Sequence, residues 1–211
     1  MKNKKLILVL MIPLVFFVVG CTNNNLESKS TSINQELNQV FQVKSPLQVG
    51  DAPYDFVVVT TDGKAVRLKD FAEQKKPVIV YFMATWCPWC AKDYAALSKV
   101  YQDYEDKVSI ISISLDLSED LITLKEYKKK YPALEKTIFA SGQSEILVNY
   151  RITKTTTKYA IDRNGKIIFI GAGAFDEEQW KQLLDALVKS NEAKSVETLP
   201  VTSEKVSVIT N

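Results

Sequence analysis

The sequence predicts an α/β domain with a mixed central sheet and helices on both faces of that sheet. The first observation is an apolar run over 77–82, typical of a buried strand, which leads into a segment whose apolar residues recur at helical spacing from Cys90 to Tyr104. The second is a continuous apolar run over 108–115, as expected of a strand covered on both faces. The third is Asn164-Gly165, a strong hairpin signal, followed by an amphipathic helix.

The N-terminal part of this domain is expected to contribute a separate β-hairpin. Apolar residues at 56–59 and 65–67 flank Asp62-Gly63, a pair that favours a tight turn between antiparallel strands. The segment 68–74 is then expected to form a short helix that links this hairpin to the buried strand at 77–82.

The second half of the domain alternates helices and strands. Beyond the strand at 108–115, helices are predicted at 120–131, 144–150 and 175–189, and strands at 137–140, 157–161 and 166–170. The last helix has an apolar stripe formed by Trp180, Leu183, Leu184 and Leu187. One hydrophobic core is enough to cover these elements, so a single domain is expected.

The predicted chemistry lies in Cys87-Pro88-Trp89-Cys90, at the turn between the strand at 77–82 and the helix that follows it. Proline suits the first position of a helix, which leaves Cys87 at the cap, where free backbone N–H groups and the helix dipole stabilise an anion. Cys87 is therefore expected to be the nucleophile. Cys90 begins the apolar row of the helix and is expected to be the buried thiol that resolves a mixed disulfide.

Two other interpretations of the cysteine pair compete with redox exchange. A zinc site needs four nitrogen or sulfur ligands, but the chain has no histidine and one other cysteine, Cys21, so a single molecule cannot supply them. A structural disulfide across two intervening residues would constrain the unfolded chain very little. Redox exchange is the favoured interpretation, and no metal site and no cofactor are expected.

The segment VIVYFMATWCPWCAKDYAAL resembles the active-site region of the thioredoxin superfamily, and in particular its membrane-tethered TlpA/ResA-like thiol–disulfide oxidoreductases. The resemblance extends over about 46–190 and includes the hairpin near Asp62 and the closing hairpin YAIDRNGKIIFIGAG. It implies a thioredoxin fold with an N-terminal β-hairpin extension. It also implies disulfide exchange with exported proteins outside the cytoplasm, supported by a membrane or extracytoplasmic redox partner.

The resemblance also indicates further site residues. Relatives often have a glutamate three residues after the second cysteine, where it takes part in proton transfer, and this chain has Asp93 there. Trp86 and Trp89 are expected to form an apolar rim on which a substrate polypeptide docks. Relatives carry a cis-proline opposite the cysteines, and the alignment puts Thr156 at that position, next to Thr155. Both threonines are therefore expected to contact substrate, and Thr156 is expected to face the thiols.

A different class of function is kept as an alternative. Two copies of the chain could share a metal ion or an iron–sulfur cluster through the Cys87 and Cys90 thiolates, because the proline ring that crowds the thiols in relatives is replaced by threonine. Visible absorbance of the purified protein separates this alternative from an oxidoreductase. Peroxidase activity is disfavoured, because the lone nucleophile of peroxidases lacks the C-x-x-C spacing.

The N-terminus has the pattern of an export signal. Residues 1–20 carry three lysines and no acidic residue, and they include an apolar run from Leu6 to Val19 that is short for a membrane span. The run ends in Val18-Val19-Gly20-Cys21, which resembles the lipobox of bacterial lipoproteins, so Cys21 is expected to be lipidated. The predicted location is the cell membrane, with the protein lipid-anchored and facing the extracytoplasmic side.

The remaining regions divide the chain as follows. A polar tether over 21–45 is expected to separate the lipidated cysteine from the domain at 46–190, and 191–211 is expected to form a C-terminal tail. Without the three leader lysines the chain has 24 basic and 25 acidic residues, a net charge of −1. That balance gives no support for binding nucleic acid.

Overall fold

The computed structural model describes residues 44–190. The predicted signal peptide at 1–20, the lipidation site Cys21, nearly all of the tether and the tail at 191–211 lie outside this range. No helix within the described range is long and apolar enough to cross a membrane.

A two-stranded antiparallel hairpin opens the described chain. Strands β1 (Val57–Val59) and β2 (Ala65–Arg67) pair with Val58 opposite Val66, and Gly63 takes a positive φ of 78° in the turn between them. Helix α1 (Leu68–Glu73) follows directly and leads to the central sheet. This hairpin is the N-terminal extension that the sequence predicts.

Five strands form the central sheet, and helices connect most of them. In chain order the elements are β3 (Val78–Met83), α2 (Pro88–Val100), β4 (Ser109–Ser114), α3 (Leu121–Lys128), β5 (Ile138–Ala140), α4 (Ser144–Asn149), β6 (Thr157–Ile161), β7 (Ile167–Gly171) and α5 (Glu177–Lys189). Short 3-10 helices occupy Tyr101–Asp103 and Pro132–Leu134.

The sheet mixes parallel and antiparallel pairing. Its strand order is β5-β4-β3-β6-β7, in which β3 pairs with β4 and β4 with β5 in parallel, while β6 runs antiparallel to both β3 and β7. The α/β fold class with a mixed sheet is therefore confirmed. Strand β3 is the central strand of the sheet. The cysteine motif, which follows the C-terminal end of β3, therefore lies midway between the two outer strands.

Side-chain alternation along β3 divides the core into two layers. Ile79, Tyr81 and Met83 face a layer that includes α2, α3 and α5, whereas Val78, Val80 and Phe82 face the layer that includes the hairpin, α1 and α4. Successive residues of a strand point to opposite faces, and all six side chains are buried. Tyr81 consequently lies on the same side of the sheet as the helix that carries Cys90.

Candidate active site

The cysteine motif occupies the turn from β3 into α2, as the sequence predicts. Cys87 is the N-cap residue with an extended backbone, and Pro88 is the first residue of the helix. The Cys90 backbone N–H donates to Cys87 Sγ over 3.2 Å, so one of the free N–H groups of the first turn points at the sulfur. This arrangement favours negative charge on Cys87.

The two cysteines and the two tryptophans differ sharply in exposure. Cys87 is 3% exposed and Cys90 is fully buried, and both are free thiols. Trp86 and Trp89 are 63% and 61% exposed, which is unusual for such large apolar side chains. The tryptophans therefore provide apolar surface beside a nearly buried pair of sulfur atoms.

The loop that precedes β6 lies across from Cys87. The Cys87 thiol donates to Thr155 Oγ1 over 3.2 Å, so the hydroxyl that meets the sulfur belongs to Thr155. The Thr156 hydroxyl instead donates to its neighbour's carbonyl and accepts from the Gly173 N–H at 3.0 Å. No peptide bond within residues 44–190 is cis, and Thr156 has a positive φ of 62°. The loop thus places Thr155 against Cys87, and proline could not adopt the positive φ of the next residue, Thr156.

The Cys90 thiol is held in its neutral form by its surroundings. Burial, the largest effect, and a hydrogen bond with Cys87 together raise the pKa of Cys90 to about 12, while a hydrogen bond with Tyr81 acts in the opposite direction. The Tyr81 hydroxyl also donates to Asp93 Oδ2 over 3.0 Å. Tyr81 thus contacts the carboxylate that lies one helical turn beyond Cys90.

Asp93 is fully buried one helical turn beyond Cys90. Its carboxylate accepts hydrogen bonds from the Tyr81 hydroxyl, the Lys158 ammonium, the Phe175 N–H and the Trp180 indole. Burial raises the pKa of Asp93, and the Lys158 charge opposes that rise. Within the described range no hydrogen bond joins Asp93 to Cys90 directly.

Lys158 is the partner of Asp93 and is a site residue whose role the sequence does not reveal. It is fully buried on β6, directly opposite Tyr81 on β3, with Nζ 2.5 Å from Asp93 Oδ2. Burial lowers the pKa of Lys158, and Asp93 raises it. The rings of Tyr81, Phe175 and Trp180 lie 4.8, 4.3 and 5.1 Å from the ammonium. A single lysine in a predicted strand usually indicates a solvent-facing position. The sequence gives no sign of the buried pair, because Asp93 is 65 residues away from Lys158.

A short acidic loop after β4 anchors the motif from the other side. Glu119 accepts hydrogen bonds from the Thr85 N–H and hydroxyl, and Asp116 Oδ2 accepts from the Trp86 indole at 2.8 Å. The hydrogen bonds from Ser118 and that from Trp86 lower the pKa of Asp116. These carboxylates fix the two residues that precede Cys87. The sequence indicates this role of Asp116 and Glu119 only in that their loop joins a buried strand to a helix.

The described residues contain no group of three or more histidine, cysteine, aspartate or glutamate side chains that could hold a metal ion. Two thiols, one at a helix N-terminus and one buried beneath it, can instead exchange with a disulfide and pass two electrons. The fold and this pair of thiols define a thioredoxin-fold dithiol oxidoreductase.

Comparisons with known proteins agree with that class. The chain belongs to the AhpC/TSA family, which matches residues 49–170. It is 31% identical over 144 residues to the thiol-disulfide oxidoreductase ResA of Bacillus cereus, covering 68% of this chain and 81% of that protein. The predicted TlpA/ResA-like resemblance and the thiol–disulfide oxidoreductase activity are thereby confirmed.

Solved structures share the fold. A thio-disulfide isomerase from Thermus thermophilus has a TM-score of 0.55 and 25% identity, covering 69% of this chain and 98% of that one. A thiol:disulfide interchange protein from Chlorobium tepidum has a TM-score of 0.58 and 22% identity, covering 68% and 99%. The thioredoxin fold is therefore confirmed.

Proposed function

We propose that this protein is a lipid-anchored oxidoreductase that exchanges disulfides with exported proteins outside the cytoplasm. The observation that carries the proposal is the arrangement of Cys87 at the N-terminus of α2, with Cys90 buried beneath it and two exposed tryptophans alongside. Apolar surface of this kind suits an extended polypeptide better than a small polar thiol, because aromatic side chains contribute strongly to binding between proteins.

The exchange is a two-step transfer. The Cys87 thiolate attacks one sulfur of a substrate disulfide, so a Cys87–substrate bond forms as the substrate S–S bond breaks and the other substrate sulfur leaves as a thiolate. The Cys90 thiolate then attacks Cys87 Sγ, forms the Cys87–Cys90 disulfide and releases the second substrate sulfur. The enzyme loses two electrons and the substrate gains them, and the reverse sequence oxidises a substrate dithiol.

The second step requires the Cys90 thiol to lose its proton, although burial raises the pKa of this thiol to about 12. We assign Asp93 as its acceptor, because Asp93 is buried one helical turn beyond Cys90 and hydrogen-bonds with Tyr81, a neighbour of that thiol. Transfer of the Cys90 proton to Asp93 leaves a thiolate and a neutral carboxylic acid. Lys158 keeps a positive charge beside Asp93, and the total charge of the buried group does not change in this transfer.

The location proposed for this activity depends on the leader. The charged and apolar segments of 1–20 followed by Cys21 support export and diacylation at that cysteine. Two acyl chains hold a protein firmly at a membrane. A tether of about 25 residues spans roughly 30 Å on average, which leaves room for a substrate to reach the domain.

A trapping experiment tests the function. The variants Cys90→Ala, Cys87→Ala and the double variant are expressed in cells, alkylated on lysis and separated without reductant. Cys90→Ala should accumulate covalent complexes with exported proteins, because their mixed disulfides with Cys87 are not resolved. Cys87→Ala and the double variant should not. Equal trapping by both single variants, or complexes made only with cytoplasmic proteins, would contradict the proposal.

A separate experiment tests the anchor. Cys21→Ala should release the protein from membrane fractions or block its processing, because the acylated residue is lost. Unchanged membrane retention and processing would show that the leader is a conventional anchor.

A further inference from the structure

The Lys158 ammonium joins three separate segments of the domain. Its Nζ donates to Asp93 Oδ2 on α2 at 2.5 Å, to the Thr156 carbonyl at 3.1 Å and to the Gly173 carbonyl at 2.8 Å. An ammonium group has three N–H donors, and all three are used. A fully buried charge with every donor satisfied holds its partners at defined positions, because losing any one contact leaves a buried polar group unpaired.

Two of these contacts act on the loop that faces the cysteines. Lys158 binds the Thr156 carbonyl, while Gly173, which it also binds, donates its N–H to Thr156 Oγ1 at 3.0 Å. Thr156 has a φ of 62°, which is a strained conformation for a β-branched residue. Such a conformation persists where the surroundings impose it. The ammonium and Gly173 are the groups that do so here.

The strained peptide determines where the neighbouring side chain lies. Thr155 precedes Thr156, and its Oγ1 is 3.2 Å from Cys87 Sγ. In the reduced protein the thiol donates to this oxygen, and when Cys87 becomes a thiolate the same hydroxyl can rotate and donate to sulfur. A hydrogen bond to a charged acceptor is among the stronger ones in proteins.

We propose that Lys158 is a positioning residue for the nucleophile: it clamps the Thr156 peptide to Asp93 and Gly173, and thereby holds the Thr155 hydroxyl against Cys87. Lys158 does not touch a substrate or the sulfur and acts through Thr155. The clamp acts on the Cys87 thiol itself, so its effect is the same whichever proteins the enzyme exchanges with.

The test replaces the buried pair without changing the local net charge. Lys158→Met with Asp93→Asn removes one charge of each sign, and the apolar methionine side chain suits the Tyr81, Phe175 and Trp180 rings that surround the ammonium. The measurement is the rate at which iodoacetamide modifies Cys87 of the reduced protein at pH 7, followed by mass spectrometry of its peptide. Four proteins are compared: wild type, the double variant, Thr155→Val and the triple combination.

Thr155→Val and the double variant should each slow modification of Cys87 by about tenfold, or about 1.4 kcal/mol. The triple variant should be no slower than Thr155→Val alone, because the clamp acts only through that hydroxyl. Non-additivity of this kind separates positioning from general loosening of the structure. A wild-type modification rate in the double variant, or independent effects that multiply to about 100-fold, would overturn the proposal. Thr153→Val is the matched control on an exposed threonine of the same loop.

A second variant keeps the proposal testable if the double variant fails to fold. Thr156→Gly leaves Lys158 and Asp93 in place, relieves the strained φ and removes the hydroxyl that Gly173 contacts. It should slow Cys87 modification severalfold and have no effect in a Thr155→Val background. Arg151→Gly, at an exposed residue with a φ of 50°, is the control and should leave the rate unchanged. A wild-type rate in Thr156→Gly would contradict the clamp.

Discussion

Glu119 accepts two hydrogen bonds from Thr85 through one oxygen, at 2.8 Å from the backbone N–H and 2.5 Å from the hydroxyl. The other carboxylate oxygen accepts from the Ser114 hydroxyl at 2.6 Å. Thr85 lies two residues before Cys87, and Glu119 is 7% exposed. The carboxylate therefore ties the turn that carries Cys87 to the end of β4.

Removing this carboxylate should destabilise the protein. We expect Glu119→Ala to lower the free energy of unfolding by about 2–4 kcal/mol, because buried donors lose a charged acceptor. Glu119→Gln retains an acceptor oxygen and should cost less than about 1 kcal/mol. Urea unfolding measures both. Glu126→Ala, at an exposed residue paired with Lys129, is the control and should change stability by less than about 0.5 kcal/mol. Equal stability of Glu119→Ala and Glu126→Ala would show that the hydrogen bonds of Glu119 do not stabilise the fold.

The sequence predicts the architecture well because its elements have strong periodic patterns. The strand at 77–82 is observed as Val78–Met83, and the hairpin expected around Asn164-Gly165 forms between Thr157–Ile161 and Ile167–Gly171. Continuous apolar runs are unambiguous when both faces of a strand are covered. Most differences lie at element ends: the helix predicted at 120–131 ends at Lys128, and a short 3-10 helix that was not predicted occupies Pro132–Leu134.

The pKa of Cys90 gives a prediction for alkaline conditions. In Cys87→Ala, burial still raises the pKa of Cys90, so its alkylation rate should keep rising with pH beyond about 9, whereas glutathione reaches a plateau there. The measurement is the rate with iodoacetamide between about pH 7 and 11. A plateau near pH 9 would contradict the assignment. Because the folded-state pKa of about 12 exceeds the ordinary value of 9.0, this group stabilises the fold below pH 9 and loses that effect as the pH rises toward 12.

The buried ion pair should show strong coupling in stability. Asp93→Asn and Lys158→Met, made singly, should each lower the free energy of unfolding by about 3–5 kcal/mol, because the remaining partner is buried without its counter-charge. The double variant should lie within about 2 kcal/mol of wild type, or above it, because neither charge is then desolvated.

Chemical denaturation of the four proteins measures this coupling. The exposed pair Lys129–Glu126 provides the comparison, with a coupling of about 0–1 kcal/mol. Additive effects of the two core substitutions would mean that the buried charges do not depend on each other.

Only part of the candidate site can be predicted from the sequence, because some of its contacts join residues that are distant in the chain. Cys87 and Cys90 follow from a local motif at a strand-to-helix turn. The buried pair of Lys158 with Asp93 could not be recognised, because the two residues are distant in sequence and lie on different elements. The contact of Thr155 with Cys87 likewise depends on the left-handed backbone of Thr156, which its β-branched side chain gives no reason to expect.

The exposed tryptophans should act on substrate docking rather than on chemistry. Trp86→Ala and Trp89→Ala should each raise KM for reduction of insulin about tenfold, because each removes exposed aromatic area beside the thiols. Reduction of a small disulfide, dithiobis(nitrobenzoate), should change less than about twofold. Val57→Ala, an exposed apolar residue of the hairpin, is the control and should leave both substrates unaffected. Equal losses with both substrates would place the tryptophans in the chemical step.

The distribution of tryptophan also gives the molecule an internal optical reporter. The chain has three tryptophans, of which Trp86 and Trp89 flank the sulfur atoms in solvent while Trp180 is fully buried against Asp93. The two exposed indoles should emit at longer wavelength than the buried one, and because they are adjacent in sequence to Cys87 and Cys90 a disulfide there should quench them. Fluorescence can thus follow oxidation, docking of a polypeptide and unfolding of the core in unlabelled protein, each through a different part of one spectrum.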